Sequence, residues 1–181
     1  MNLASKAEYP SCGAEAVGGL AGCDEVFSRL IGREFADPVL FRAHRLTVDA
    51  YCLQHTEKYM ISSKSAAAHL MGICWSLEVG ESLHLPPELK RFVDGPHVFV
   101  RVAVPPQLRR GKINITHLNS LSEPREYLVA SREWAQSVWL AWSSAWEQTR
   151  AWVREAQKAN YHSHKATPLF GAGNAGTSGK G

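Results

Sequence analysis

Apolar residues recur at the three- and four-residue spacing of amphipathic helices over most of the chain. This pattern predicts a first helix over residues 24–36. Asp37-Pro38 predicts the start of a second helix over residues 38–60, because an aspartate can cap a helix and proline suits its first position. A third helix is expected over residues 62–80, and a long helix with a tryptophan-rich apolar stripe over residues 124–159. The short connection between the second and third helices predicts an antiparallel hairpin.

The remaining segments carry weaker patterns. Residues 1–22 are rich in glycine and lack periodicity, so they predict an irregular segment that lies across the core. We expect a loop or short-strand insertion around residues 96–118. The fold class is therefore mainly all-α, a four-helix-type bundle. Residues 1–159 form a single helical domain in this prediction, and residues 160–181 a disordered tail.

Composition restricts the classes of function. The chain has 181 residues, 45% of them hydrophobic and 20% charged, as in soluble globular proteins. A formal charge of +3 from dispersed basic residues argues against a nucleic-acid partner. No apolar run is long enough for a membrane span, and the first residues lack the apolar core of a signal peptide, so we expect a cytoplasmic protein that does not bind membranes. Its four cysteines are then free thiols or metal ligands rather than disulfides.

The stretch from His44 to His55, HRLTVDAYCLQH, holds most of the candidate catalytic side chains. A helix advances roughly 100° and 1.5 Å per residue, so His44, Tyr51 and His55 share a face from which Asp49 points away. The two histidines are about 16 Å apart along the axis, too far to bind one ion. Asp49 follows Arg45 by four residues, which is typical of a surface ion pair and leaves a site role open.

A metal site is predicted where the helices fold back on one another. An antiparallel second and third helix would bring His55 level with His69, and the first helix would bring Cys23 to the same end. The irregular N-terminal segment holds Cys12 nearby. Two thiolates and two imidazoles, from Cys12, Cys23, His55 and His69, are the number and type of ligands that tetrahedral zinc takes. The alternative is that the cysteines pack as apolar residues and the histidines are hydrogen-bonded core residues.

The chain resembles an uncharacterised bacterial family of small cytoplasmic proteins that is known only as a domain of unknown function. The likeness extends from about Tyr9 to Val153. Its matching pieces are Cys12-Gly13-Ala14, Cys23, Asp37-Pro38, the His44 to His55 stretch, residues 65–78 with His69-Leu70, Trp134-Ala135-Gln136-Ser137-Val138-Trp139 and Ala141-Trp142. The resemblance implies no activity, substrate or cofactor. It does imply a fuller cysteine pair near the start of some relatives, where this chain has Tyr9-Pro10-Ser11-Cys12.

A looser likeness is to helical bundles of the DNA-damage-inducible and thiol-transferase type. Those bundles bind a metal through three histidines on bundle helices. Their pair of histidines four residues apart on one helix is absent here, so the likeness concerns the fold alone.

Two classes of function follow. The first is a zinc-dependent enzyme acting on a small molecule, with a water or thiol substrate at an open position on zinc and with Tyr51, or His44 with Glu78, moving protons. A variant without metal uses His44 with Asp49 or Glu78 as acid and base. The second is a non-catalytic binding or accessory subunit, in which a closed zinc site pins residues 1–22 and the apolar stretch 97–104 meets a protein partner in a homo- or hetero-oligomer.

Overall fold

A computed structural model describes residues 7–8, 12–16, 19–80, 84–106 and 110–165 of the chain. Within these ranges the helices are α1 (Gly19–Ala36), α2 (His44–Gln54), α3 (Thr56–Tyr59), α4 (Ser63–Cys74), α5 (Pro87–Asp94), α6 (Thr116–Asn119), α7 (Pro124–Ala141) and α8 (Trp146–Lys165). Two short strands, β1 (Ala7–Glu8) and β2 (Glu15–Ala16), pair antiparallel, with Ala7 opposite Ala16 and Glu8 opposite Glu15. The predicted all-α class is confirmed. No helix in these ranges has both the length and the apolar character of a membrane span.

The two predicted helix starts are visible as capping contacts. The backbone N–H of Val39 donates to Asp37 Oδ1 at 2.8 Å. At α4, Ser62 and Ser65 form a reciprocal capping box in which each side chain accepts from the other residue's backbone N–H. Both starts depend on local chemistry, which explains why the sequence reveals them.

The second and last predicted helices are each interrupted, which corrects the prediction of two continuous rods. Residues 40–43 form a 3₁₀ turn before α2, and His55 leaves the helical region with φ −112° and ψ 57°. The last helix breaks at Trp142 (φ −92°, ψ 23°) and restarts through a 3₁₀ turn, Ser143–Ala145. Neither break contains glycine or proline, so no local signal predicts it.

Other helix boundaries also differ from the predicted ones. Helix α1 begins at Gly19 rather than at residue 24, and α4 continues through a π-helical turn, Trp75–Val79. The insertion contains α6, while residues 96–106 have no regular secondary structure. Helix α8 extends to Lys165, beyond the expected end at residue 159. The rest of the predicted tail, 166–181, lies outside the described residues.

Helix α2 lies at the centre of the bundle. It packs against α4 and α7, and α8 packs against α4 and α5. The tryptophan stripe is buried as a core seam, with Trp134, Trp142 and Trp152 at most 2% exposed. Because α2 contacts so many neighbours, its polar residues meet side chains from several helices.

Gly72 of α4 lets that helix approach α2 closely. A methyl group at this position would lie 2.3 Å from Arg45 Nη2 and 2.3 Å from Asp49 Oδ2, an ion pair whose carboxylate is fully buried. We expect Gly72→Ala to lower the free energy of unfolding by about 1–3 kcal/mol, as overpacking does. Gly32→Ala is the matched control, since nothing lies within 4 Å there. If urea unfolding showed that both variants were equally stabilised, that result would contradict the close approach of α4 to α2 at Gly72.

Candidate metal centre

Three ligand atoms from three separate places in the chain meet inside the protein. Cys12 Sγ lies 3.9 Å from Cys23 Sγ, and Cys23 Sγ lies 3.3 Å from His55 Nε2. All three atoms lie within 4.8 Å of one another, and all three residues are buried. Cys12 comes from the turn before β2, Cys23 from α1, and His55 from the break between α2 and α3. The interruption at His55 therefore contributes to this centre.

The tautomer of His55 suits a metal ligand. A backbone carbonyl only accepts hydrogen bonds, so the 2.8 Å contact between Nδ1 and the carbonyl of Tyr51 places the proton on Nδ1. In the neutral ring Nε2 then carries the lone pair, and this atom faces Cys23. Metal-binding histidines are usually held in this way by their other nitrogen.

The two thiols share their protons unequally. The hydrogen bond from the Cys12 thiol is the main cause that lowers the pKa of Cys23, to about 5, and burial opposes the shift. The same pairing, together with burial, raises the pKa of Cys12. The lowered pKa of Cys23 favours the thiolate, which is the form that binds metals.

Two of the three separations are close to those expected at a tetrahedral zinc ion. Bond lengths of about 2.3 Å to sulfur and about 2.0–2.1 Å to nitrogen place two sulfurs about 3.8 Å apart, and a sulfur and a nitrogen about 3.6 Å apart. The observed separations are 3.9 Å and 3.3 Å. A set of two sulfur ligands and one nitrogen ligand also favours zinc over magnesium or calcium as the bound ion. These residues could hold zinc with one coordination position left.

Tyr51 forms one wall of the centre. Its ring lies between Phe27, with centroids 3.8 Å apart, and His55, with centroids 4.0 Å apart. Its hydroxyl donates to Asp24 at 2.9 Å, and Asp24 also accepts from Lys58 at 2.7 Å. Tyr51 is fully buried and stacks on the imidazole of His55, so its side chain lies beside the centre.

The chain matches the model of one protein family, described as a family of unknown function (DUF5946), over residues 7–143. The chain belongs to this family. The matched region contains all three ligands of the centre and ends at the turn before α8. No curated protein and no solved structure matches the chain significantly.

In this DUF5946 protein, His69 lies away from the centre that the sequence assigned to it. Its Nδ1 contacts Asp49 Oδ1 at 2.9 Å, and Arg45 donates two hydrogen bonds, of 2.6 and 2.5 Å, to the same carboxylate. Asp49 therefore does pair with Arg45, but as a buried acceptor that links α2 to α4. His69 therefore faces the side of α2 that carries Asp49, which points away from His55.

His44 meets a different carboxylate from the one expected. Its Nδ1 lies 2.8 Å from Glu34 rather than beside Glu78. Glu34 is fully buried and also accepts from the hydroxyls of Tyr127 at 2.6 Å and Thr47 at 2.8 Å. Burial raises the pKa of Glu34 even though these three hydrogen bonds act in the opposite direction.

Glu78 belongs to a third cluster, near α8. It accepts hydrogen bonds from Arg150 at 2.6 and 2.7 Å and from the indole N–H of Trp139 at 2.8 Å. Arg150 holds the pKa of Glu78 below its ordinary value. The predicted acid and base candidates thus lie in three separate networks around α2 and α4.

Glu34, Asp24 and Thr47 were not identified from the sequence as site residues. Glu34 did carry a signal, because it occupies the apolar stripe of α1, where a carboxylate needs a partner. Asp24 and Thr47 carried none, since each depends on which face of a neighbouring helix lies opposite.

Proposed function

We propose that this DUF5946 protein is a zinc-binding accessory or binding protein, in which one zinc ion on Cys12, Cys23 and His55 fixes the N-terminal segment to the helical bundle. The observation that carries the proposal is the convergence of these three ligand atoms within 4.8 Å, with the Cys12–Cys23 and Cys23–His55 separations close to those at a zinc ion. Each ligand comes from a different part of the chain, so a metal there joins parts that are distant in sequence.

Burial supports a structural role for the ion. Cys23 and His55 are 0% exposed and Cys12 is 8% exposed. Structural zinc sites are closed, while catalytic ones keep a position that substrate can reach. A metal on Cys12 would add a link between this segment and the bundle, beside the buried Ala14 and the contacts of β2 with α1.

An apolar surface supports a protein partner. Val98 is 86% exposed and Val100 is 55% exposed, in the stretch 97–104 where the sequence predicted a partner. No backbone hydrogen bond joins residues 96–106 to another described residue. Exposed valines on a stretch without backbone pairing are features that protein interfaces use.

A zinc-dependent enzyme acting on a small molecule is the second candidate. Two observations favour it: the centre has three protein ligands, and Tyr51, whose ring stacks on His55, donates its hydroxyl proton to Asp24. A water at the fourth position would have its pKa lowered by the ion, and Tyr51 and Asp24 could pass its proton toward solvent. This candidate needs an opening to the buried ion.

Metal content tests the shared part of both candidates. We expect about one zinc per chain in protein purified without chelators, close to none in His55→Ala, and an unchanged amount in His69→Ala, because His69 binds Asp49 instead. Elemental analysis with protein quantification gives the ratio. Equal zinc loss in both histidine variants would support a four-ligand site that includes His69 and would contradict the three-ligand site.

Cobalt substitution separates the two candidates. The visible spectrum of Co²⁺ changes when a ligand enters an open coordination position. We expect added azide or a small thiol to leave the spectrum of the cobalt protein unchanged, as for a closed site. A concentration-dependent spectral change in wild type would instead select the enzyme.

A further inference from the structure

We propose that the Cys12–Cys23 pair is an oxidation site, at which hydrogen peroxide converts the two zinc-binding thiolates into a disulfide and releases the ion. This inference rests on the proposed zinc site and adds a chemical regulation to it. Its basis is geometric: the two sulfurs lie 3.9 Å apart with no other residue needed between them.

The reaction requires only peroxide and two protons from solvent. Cys23 sulfur attacks one oxygen of hydrogen peroxide, the O–O bond breaks, and Cys23 sulfenic acid and hydroxide form. Cys12 sulfur then attacks Cys23 sulfur and displaces a second hydroxide, forming the S–S bond. The two sulfurs lose two electrons, peroxide gains two, and the two hydroxides take up protons to give two waters.

Formation of this bond removes two of three zinc ligands at once. A disulfide sulfur is a poor ligand compared with a thiolate, and a single histidine does not retain zinc. The disulfide still joins the N-terminal segment to α1, because Cys12 remains attached to Cys23. His55 is the residue that loses its link to the segment, so oxidation would separate the α2–α3 junction from it.

The other two cysteines are matched internal controls. Cys52 and Cys74 are buried in α2 and α4, and burial raises the pKa of each thiol to about 12. Neither is among the grouped ligands. Thiols of this kind are inert toward peroxide, because the thiolate is the form that reacts.

The experiment treats zinc-loaded full-length protein with hydrogen peroxide and follows released zinc with a chromogenic chelator. We expect one zinc released and two of the four thiols lost per chain, and a peptide map that contains Cys12 joined to Cys23. Cys52→Ser should behave like wild type. Cys12→Ser should give no disulfide and an oxygen adduct on Cys23.

Two results would overturn the proposal. One is a zinc-loaded protein that keeps its zinc and all four thiols under peroxide that oxidises a reference dithiol. The other is oxidation that yields sulfinic acids or a disulfide with Cys52 or Cys74. Failure of the zinc site itself is a different result: the purified protein then contains no zinc, and the peptide map of the metal-free protein still decides whether Cys12 and Cys23 pair.

Discussion

Replacing Cys23 with alanine is expected to abolish zinc binding and to lower the melting temperature by roughly 8–16 °C. A ligand present at a thousand times its dissociation constant stabilises the folded state by about 4 kcal/mol. For a chain of this size, each kcal/mol shifts the melting temperature by about 2–4 °C. The variant removes a thiolate that contacts both other ligands, so the remaining Cys12 and His55 do not hold the ion. Calorimetry with and without added zinc measures the effect.

Cys52→Ala is the control for lost packing. Cys52 is as buried as Cys23 but lies outside the metal group, so its replacement should cost only about 1 kcal/mol and leave the response to zinc intact. A chelator should lower the melting temperature of wild type and of Cys52→Ala, but not of Cys23→Ala. If Cys23→Ala and Cys52→Ala melted together and wild type ignored the chelator, the ion would have no structural role.

Replacing Glu34 with alanine is expected to destabilise the protein by about 3–5 kcal/mol. The substitution leaves the hydroxyl of Tyr127 and the Nδ1 of His44 without this acceptor, while the Thr47 hydroxyl keeps the His44 carbonyl as a second acceptor. Removing one member of a buried charged network has a cost of this size because the remaining groups stay desolvated. Tyr127→Phe removes a single donor and should cost about 0.5–1.5 kcal/mol. Urea unfolding measures the loss of stability in both variants. Equally small losses would contradict a hydrogen-bond network that depends on Glu34.

The pH dependence of Glu34 has a defined sign. Burial raises its pKa above the ordinary 4.5, so the folded protein holds a proton that the unfolded chain has lost. The stability that the raised pKa provides is full below about pH 4.5 and is lost as the pH rises through the folded-state pKa. The stability of wild type relative to Glu34→Gln should therefore fall between acid and neutral pH. A relative stability that rose over this range would mean that the site favours the carboxylate anion.

The elements that depend on local chemistry could be predicted from the sequence. The capping contacts of Asp37 and Ser62 form within a few residues, so the sequence alone locates both helix starts. The break at Trp142 could not be predicted, because it depends on how the tryptophan fits among neighbouring helices. Tertiary packing overrides a continuous helical pattern at that point.

The sequence indicated the three residues of the candidate centre, but it did not indicate the side chains that His69 and His44 contact. Cys12, Cys23 and His55 meet as expected because each lies near one end of the bundle, where folding back brings distant residues together. The azimuth of each side chain around its helix was the missing quantity. It directs His69 to Asp49 and His44 to Glu34, and a sequence alone does not give the rotation of one helix against another.

Zinc K-edge X-ray absorption of the purified protein tests the central claim most directly. We expect a first shell of two sulfurs at about 2.3 Å and one nitrogen at about 2.0–2.1 Å, with one further light atom completing four. The same shell should lose a sulfur in Cys12→Ser and keep both in Cys74→Ser. A shell of nitrogen and oxygen alone, or one with more than two sulfurs, would contradict a centre formed by Cys12, Cys23 and His55.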